Sequence, residues 1–140
     1  MTDDSCQLCR RDAENVLWQD AYCRVIAAPQ PAYPGLCRVI WHEHVCEMTD
    51  LAREQRVHLM TVVWEVEAAL RRALAPAKIN LASLGNQVPH LHWHIIPRFA
   101  DDAHFPDAIW AAPRRAGVER GLDVNALRLA LQRSLNDPAD

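Results

Sequence analysis

His90-Leu91-His92-Trp93-His94-Ile95-Ile96 alternates histidine with large apolar residues and then gives way to a pair of isoleucines. In an extended chain, residues two apart point to the same face. The pattern predicts a strand over 90–96 with His90, His92 and His94 in a row, neighbours about 7 Å apart. Leu91, Trp93 and Ile95 then turn the other way, toward a core. A strand with one ordinary apolar face and one face of imidazoles belongs to a sheet that buries one side and does something with the other. Three readings of the row stay open: catalytic imidazoles, a three-histidine metal site of the kind that binds zinc, and polar residues on a wet sheet face.

Outward from this strand, the turn residues Gly85-Asn86 separate it from another strand, Ile79 to Leu84, and Pro97-Arg98 close it. Upstream, Leu59, Val63, Val66 and Leu70 recur at four, three and four, the spacing of a helix with one buried stripe. Asp50 is a good N-cap for it and Pro76 stops it. Val16-Leu17-Trp18, Tyr22 to Ala27 and Leu36 to Trp41 read as three more strands. Asp20 lies near the first turn, and the stiff connection Pro29 to Gly35 precedes the third strand. Between Phe99 and Gly121 no period is firm, and Pro106 and Pro113 favour loop with short helix. Asp123 opens a last helix, Val124 to Leu135, with Leu127, Ala130, Leu131 and Leu135 on one side. Strands, helix, strands, helix is the order of an α+β domain with an antiparallel sheet.

The 140 residues suit one domain, 1–140, and half are apolar, enough for a core without disulfides. A net charge of −3 and the lack of any block of five or six basic residues argue against a nucleic-acid partner. An acidic substrate would therefore be held locally, by backbone amides and imidazoles. No apolar run approaches the ~18 residues of a membrane span. The acidic start Thr2-Asp3-Asp4 is the reverse of a signal peptide, and five cysteines cannot all pair within one chain. Both features point to the reducing cytosol.

Cys6-Gln7-Leu8-Cys9 has the gap of a zinc knuckle, but two ligands do not hold a metal. Free thiols and a redox dithiol are the alternatives, the latter without the βαβ setting usual for it. Cys23, Cys37 and Cys46 read as small buried residues or incidental thiols. His42 and His58 read as surface or helix-face residues, Trp64 as a helix residue, and Trp110 as a substrate or dimer contact.

His90 to Ile96 resembles the histidine-triad (HIT) motif, His-φ-His-φ-His-φ-φ with φ apolar, at every position. Gly85-Asn86-Gln87-Val88-Pro89-His90 is similar to the family's approach to that strand, with Gln and hydroxyl positions changed. Val39-Ile40-Trp41-His42-Glu43-His44 is similar to its Val-Ile-Pro-x-x-His segment. The likeness runs from about Cys6 to Phe99, which makes 6–99 the expected core and 100–140 a C-terminal extension. It implies the HIT-like fold, an antiparallel sheet with one long central helix and a C-terminal helix.

It also implies attack by His92 on the α-phosphorus of a nucleoside 5′-phosphate derivative, such as a dinucleoside polyphosphate or phosphoramidate. That route passes through a nucleotidyl-histidine and needs no catalytic cofactor. Here His94 would serve the leaving group and His90 would orient the cluster. Asn80, Gln87 and Asn86 are the expected substrate contacts. A structural zinc on Cys6, Cys9, His44 and His90 and a homodimer through 51–74 and 79–84 are expected on the same ground. Ala28 stands where the family has a ribose-gripping Asp, and Leu36 follows Gly35 where a His is common. A metal-dependent hydrolase using His90, His92 and His94 as ligands, and a nucleotide-binding module without turnover, are the competing functions.

Overall fold

The computed structural model describes residues 2–136. Five strands, β1 (Asn15–Gln19), β2 (Cys23–Ala27), β3 (Cys37–Trp41), β4 (Lys78–Ala82) and β5 (His92–Arg98), form one sheet in the order β1-β2-β3-β5-β4. Every neighbouring pair is antiparallel. Three α-helices among the described residues accompany it: α1 (Gln7–Arg10), α2 (Arg53–Leu74) and α3 (Val124–Asn136). The α+β class read from the sequence is the class observed.

Helix α2 buries Leu59, Val62, Val63, Val66, Ala69 and Leu70, the stripe its spacing predicts, against β3 and β5. Val25, Val39, Leu91 and Ile95 meet it from the sheet, with Trp93 half-buried at the margin. Burying a Leu or Val side chain contributes roughly 1.5–3 kcal/mol, so this layer is the main stabilising element. Helix α3 lays Leu127 and Leu131 into the same core against α2 and β1. The C-terminal segment is therefore part of the domain's structure. At its end the Trp18 indole donates to Asn136 Oδ1 at 2.7 Å. Val57 and Trp64 on α2 are exposed, and β4 is an edge strand; both elements fall in the segments through which the family resemblance implies a homodimer. Among the described residues no helix is long and apolar enough to cross a membrane.

The opposite face of the sheet carries a smaller cluster in which Cys6 and Leu8 cover Ile26 and Ile40. Helix α1, which the sequence did not reveal, is pinned there by Arg24. Arg24 is fully buried, holds both Glu14 oxygens at 2.6 and 2.7 Å, and donates to Leu8 O at 2.6 Å. This cover stops short of the β5 end of the face, which leaves the histidines at an opening.

Three expectations about boundaries change. Asp50 does not cap α2: its Oδ2 accepts from the Glu47 and Cys46 amides and closes the turn Met48–Asp50. The helix starts later, at Arg53, with the Ala52 amide donating to Gln55 Oε1 at 2.9 Å. The strand does not stop before Pro97 and Arg98 but includes both, opposite Ile79 and Lys78. Arg98 O accepts from Ala77 on the β4 side, so Pro97 faces the β3 side by strand alternation, and there β3 has already ended with Cys37 opposite Ile95. A proline is tolerated where no ladder partner waits for its missing N–H. Third, β5 begins at His92, not His90. The His90 amide donates back to Val88 O at 2.8 Å and the Leu91 amide donates to Val45 O at 2.7 Å, so the chain bends before the strand begins.

Gly35 closes the proline-rich connection at φ +90°, a conformation L side chains rarely adopt. A Cβ there would lie 2.7 Å from Leu74 Cδ1, so the turn fits tightly against the end of α2.

Candidate active site

His92 and His94 point to the same face of β5, their ring centroids 4.9 Å apart and nearly perpendicular. The bend removes His90 from their row. Its side chain is fully buried and turned toward α1, and its backbone carbonyl stays behind to accept a 2.5 Å hydrogen bond from His92 Nδ1. A carbonyl only accepts, so Nδ1 of His92 carries the proton and Nε2 of the neutral ring carries a lone pair. Burial pushes the His92 imidazole below its ordinary value; the bond to His90 opposes that and the Arg38 charge adds to it. Burial, with the neighbouring His92 and Arg38, pushes His94 down to about 4. Both rings are neutral near pH 7, and a neutral imidazole oriented in this way can act as a nucleophile.

The two rings line a cleft of about 400 Å³ together with Arg38, Asn86, Gln87 and Trp110, a size suited to a small ligand. Asn86 and Gln87 are exposed on the loop after Gly85, whose φ of +70° turns the chain. Among the described residues the amides of Asn86 and Gln87 donate to no protein acceptor. Trp110 is half-exposed and stands edge-on to His94 with centroids 5.2 Å apart. Asn80 is on β4 in an adjoining cleft that Trp110 also lines. Its Oδ1 accepts from Arg98 Nη1 at 2.8 Å, which leaves its amide N–H groups as the donors available to a ligand.

A buried ion pair supports the loop that brings Trp110 here. Arg98 donates to both Asp102 oxygens at 2.8 and 3.0 Å, and the amides of Phe99, His104 and Phe105 donate to the same carboxylate. Burial pushes the Asp102 carboxyl up, but these hydrogen bonds and the Arg98 charge outweigh it and hold it well below the usual carboxylate range. Tyr33 OH reaches Asp102 Oδ1 at 3.3 Å and also meets His104 Nδ1.

Cys6 Sγ and Cys9 Sγ each lie 3.4 Å from His90 Nδ1, with Cys9 also 3.4 Å from His44 Nδ1 and the two imidazole nitrogens 3.3 Å apart. These four ligand atoms lie close enough together to hold a metal ion. His90 Nε2 donates to Trp41 O at 2.5 Å, so its Nδ1 has the lone pair that a metal needs. His90, His92 and His94 do not form such a group among the described residues. The second convergent group, Asp20, Cys23 and His58, was not read from the sequence. His58 Nε2 pairs with Asp20 Oδ2 at 2.6 Å and His42 Nε2 meets Asp20 O at 2.9 Å, so both histidines have partners that spacing did not suggest.

Arg38 is the residue of the cleft that sequence reading missed. It sits across the ladder from His94. The available signal was a charge in the middle of the otherwise apolar strand Cys37-Arg38-Val39-Ile40-Trp41.

A family model described as HIT domain matches residues 10–101. The chain is 29% identical over 87 residues to the asymmetrical bis(5′-nucleosyl)-tetraphosphatase of Schizosaccharomyces pombe, across 59% of this chain and 48% of that enzyme. It thus spans about half the length of the curated relative it matches. Among solved structures it is similar to a histidine triad protein from Bradyrhizobium japonicum, with TM-score 0.71, 28% identity, and 89% of this chain and 92% of that one covered. A histidine triad protein from Marinobacter aquaeolei is similar with TM-score 0.72 and 25% identity, over 96% and 98% of the two chains.

Proposed function

This chain belongs to the HIT family, and from that premise we propose that it cleaves a nucleoside 5′-phosphate derivative at the α-phosphorus through a covalent intermediate on His92. The observation that carries this reading is the His92 Nδ1 bond to the His90 carbonyl, which leaves Nε2 as a lone pair at the cleft. Attack would form a nucleotidyl-histidine as the leaving group departs, and water would then release the nucleoside monophosphate. In this reading His94 meets the leaving group. The amides of Asn86 and Gln87 can donate to equatorial phosphate oxygens, and Asn80 and the side chains of Gln87 and Asn86 are the remaining substrate contacts in this reading.

The test is release of AMP from diadenosine tetraphosphate and from adenosine phosphoramidate by chelator-treated protein, with mass spectrometry of the His92 peptide after a denaturing quench at alkaline pH, where the P–N bond survives. Chelator-resistant release with an adenylyl adduct on that peptide is expected. Release that stops on chelation and returns with zinc, with no adduct on the His92 peptide of the zinc-restored protein, would sink the covalent reading in favour of a metal hydrolase. Nucleotide binding without release would make the protein a binding module.

Because burial holds His92 below 6.5, its neutral form persists as pH falls through that value. The acid limb of kcat/KM, which reports the free enzyme, is expected below 6.5. A limb at or above 6.5 would contradict the assignment of the attacking group.

The Cys6, Cys9, His44 and His90 set fits zinc. Bonds of about 2.3 Å to sulfur and about 2.0–2.1 Å to nitrogen in a tetrahedron place sulfur about 3.6 Å from nitrogen and two nitrogens about 3.3 Å apart. The distances of 3.4 and 3.3 Å match this within a few tenths. Four protein ligands leave no open position, so such an ion would tie α1 to the sheet and take no part in the reaction. Cys6→Ser is expected to drop bound zinc from about one equivalent to near none and to lower Tm. Equal zinc content in both proteins would show the ion to be elsewhere.

A further inference from the structure

We propose that Arg38 determines substrate class by binding the phosphate chain beyond the phosphorus that His92 attacks, which selects a nucleoside polyphosphate over a phosphoramidate. The proposal rests on the reading of His92 as nucleophile and goes further, to the chemistry of the leaving group.

Arg38 is the direct cross-strand partner of His94, and Ile40, two residues on, is the partner of His92. Arg38 therefore shares a face with both rings and lines the same cleft. Its Nε is buried with no hydrogen-bond partner among the described residues, and so is His94 Nδ1 beside it. Buried polar groups are paired in the great majority of cases, and the Nη groups of Arg38 also donate to no protein acceptor among the described residues, so the guanidinium edge at the cleft is left for a ligand. No carboxylate is among the described residues lining the cleft. Glu14 is the acid whose charge acts on Arg38, and both Glu14 oxygens already hold Arg24. A half-buried guanidinium in an apolar strand without a counter-ion is costly to keep, and an anion entering the cleft offsets that cost. The planar fork suits phosphate oxygens better than any other common anion donor set.

The chemistry separates the two substrate classes. As Nε2 of His92 bonds to phosphorus, the bond from phosphorus to its leaving atom breaks and the electron pair goes with that atom. An amine leaving as such must take up a proton. A polyphosphate leaves as an anion on its bridging oxygen, and what it requires is positive charge at that end of the cleft. Water then adds its oxygen to phosphorus, the P–N bond returns its pair to Nε2, and the proton goes to solvent. Arg38 supplies the fixed charge that the polyphosphate needs and no proton for the amine.

The experiment compares natural sequence, Arg38→Gln and Arg38→Lys on diadenosine tetraphosphate and adenosine phosphoramidate. Arg38→Gln is expected to lower kcat/KM for the tetraphosphate by about 100-fold, at least tenfold more than for the phosphoramidate, with partial rescue by lysine. Equal losses on both substrates, no loss on either, or a natural-sequence preference for the phosphoramidate would each overturn the proposal. If the natural protein cleaves neither substrate, the nucleophile reading fails by itself. Arg38 is then judged by calorimetry with inorganic tripolyphosphate: binding weakened at least tenfold by Arg38→Gln supports it, and equal affinity overturns it.

Discussion

His92→Ala is expected to reduce nucleoside monophosphate release by about 10⁴-fold or more, with the fold intact. The size follows from the role: removing a nucleophile removes the pathway, and what remains is binding and electrostatics. No neighbour can substitute. His94 lacks a partner that fixes its ring, since its Nδ1 has no hydrogen bond, and the His90 ring is buried with both nitrogens directed elsewhere. His94→Ala is the control: its neutral ring helps the leaving group by hydrogen bonding, a loss of about 10²–10³-fold, less than the loss of attack itself. The cost to the fold is small, since the His92 ring borders the cleft and the ladder partners of β5 are backbone groups. Initial rates, the adduct on the His92 peptide and far-UV circular dichroism decide the matter. More than about one per cent residual activity in His92→Ala would remove it from the role.

Asp102→Ala is expected to destabilise the protein by about 3–5 kcal/mol, the cost of removing one partner from a buried ion pair. The Arg98 and Asp102 side chains are 2% and 5% exposed. Truncation leaves Arg98 with Asn80 as its one remaining side-chain hydrogen-bond partner among the described residues. It also frees three backbone amides and leaves the Tyr33 hydroxyl with His104 alone. Because the Asp102 pKa is depressed on folding, its contribution is fully present at neutral pH and is lost only as pH falls below the usual carboxylate range. Urea denaturation at pH 7 measures the difference, and a value under about 1 kcal/mol would show that the ion pair does not support the loop. The loop also positions Trp110 against His94, so a destabilised but folded variant should show a raised KM.

The parts of this structure that a local rule dictates were legible before the fold was known. The stripe of α2 and the alternation of Trp93, His94 and Ile95 depend only on helical and extended periods, and the cores they predict are the cores observed. The parts that were not legible depend on distant partners. Nothing in His90-Leu91-His92 says that Val88 and Val45 bend the chain before the strand starts. Pro97 looks like a terminator until the sheet order shows that no β3 residue faces it. Arg38 looks like an ordinary exposed alternation until the register sets it opposite His94. The two cysteines carry a weak local signal, and the residues that complete their group are 35 to 84 positions away. Asp102 was invisible because its partners are mostly main-chain amides in a stretch with no period.

His90 has a double attachment with a consequence for how this architecture tolerates change. Its ring belongs to the cysteine group and its carbonyl to His92. The first attachment depends on residue type and the second does not, because every residue has a carbonyl oxygen. A lineage could therefore discard the thiols and the His90 imidazole together and still inherit an oriented His92 ring, provided the bend at that peptide survives. The cysteine–histidine group and the His92–His94 pair touch in space yet are heritable as independent characters, and sequence surveys should find one drifting while the other stays fixed.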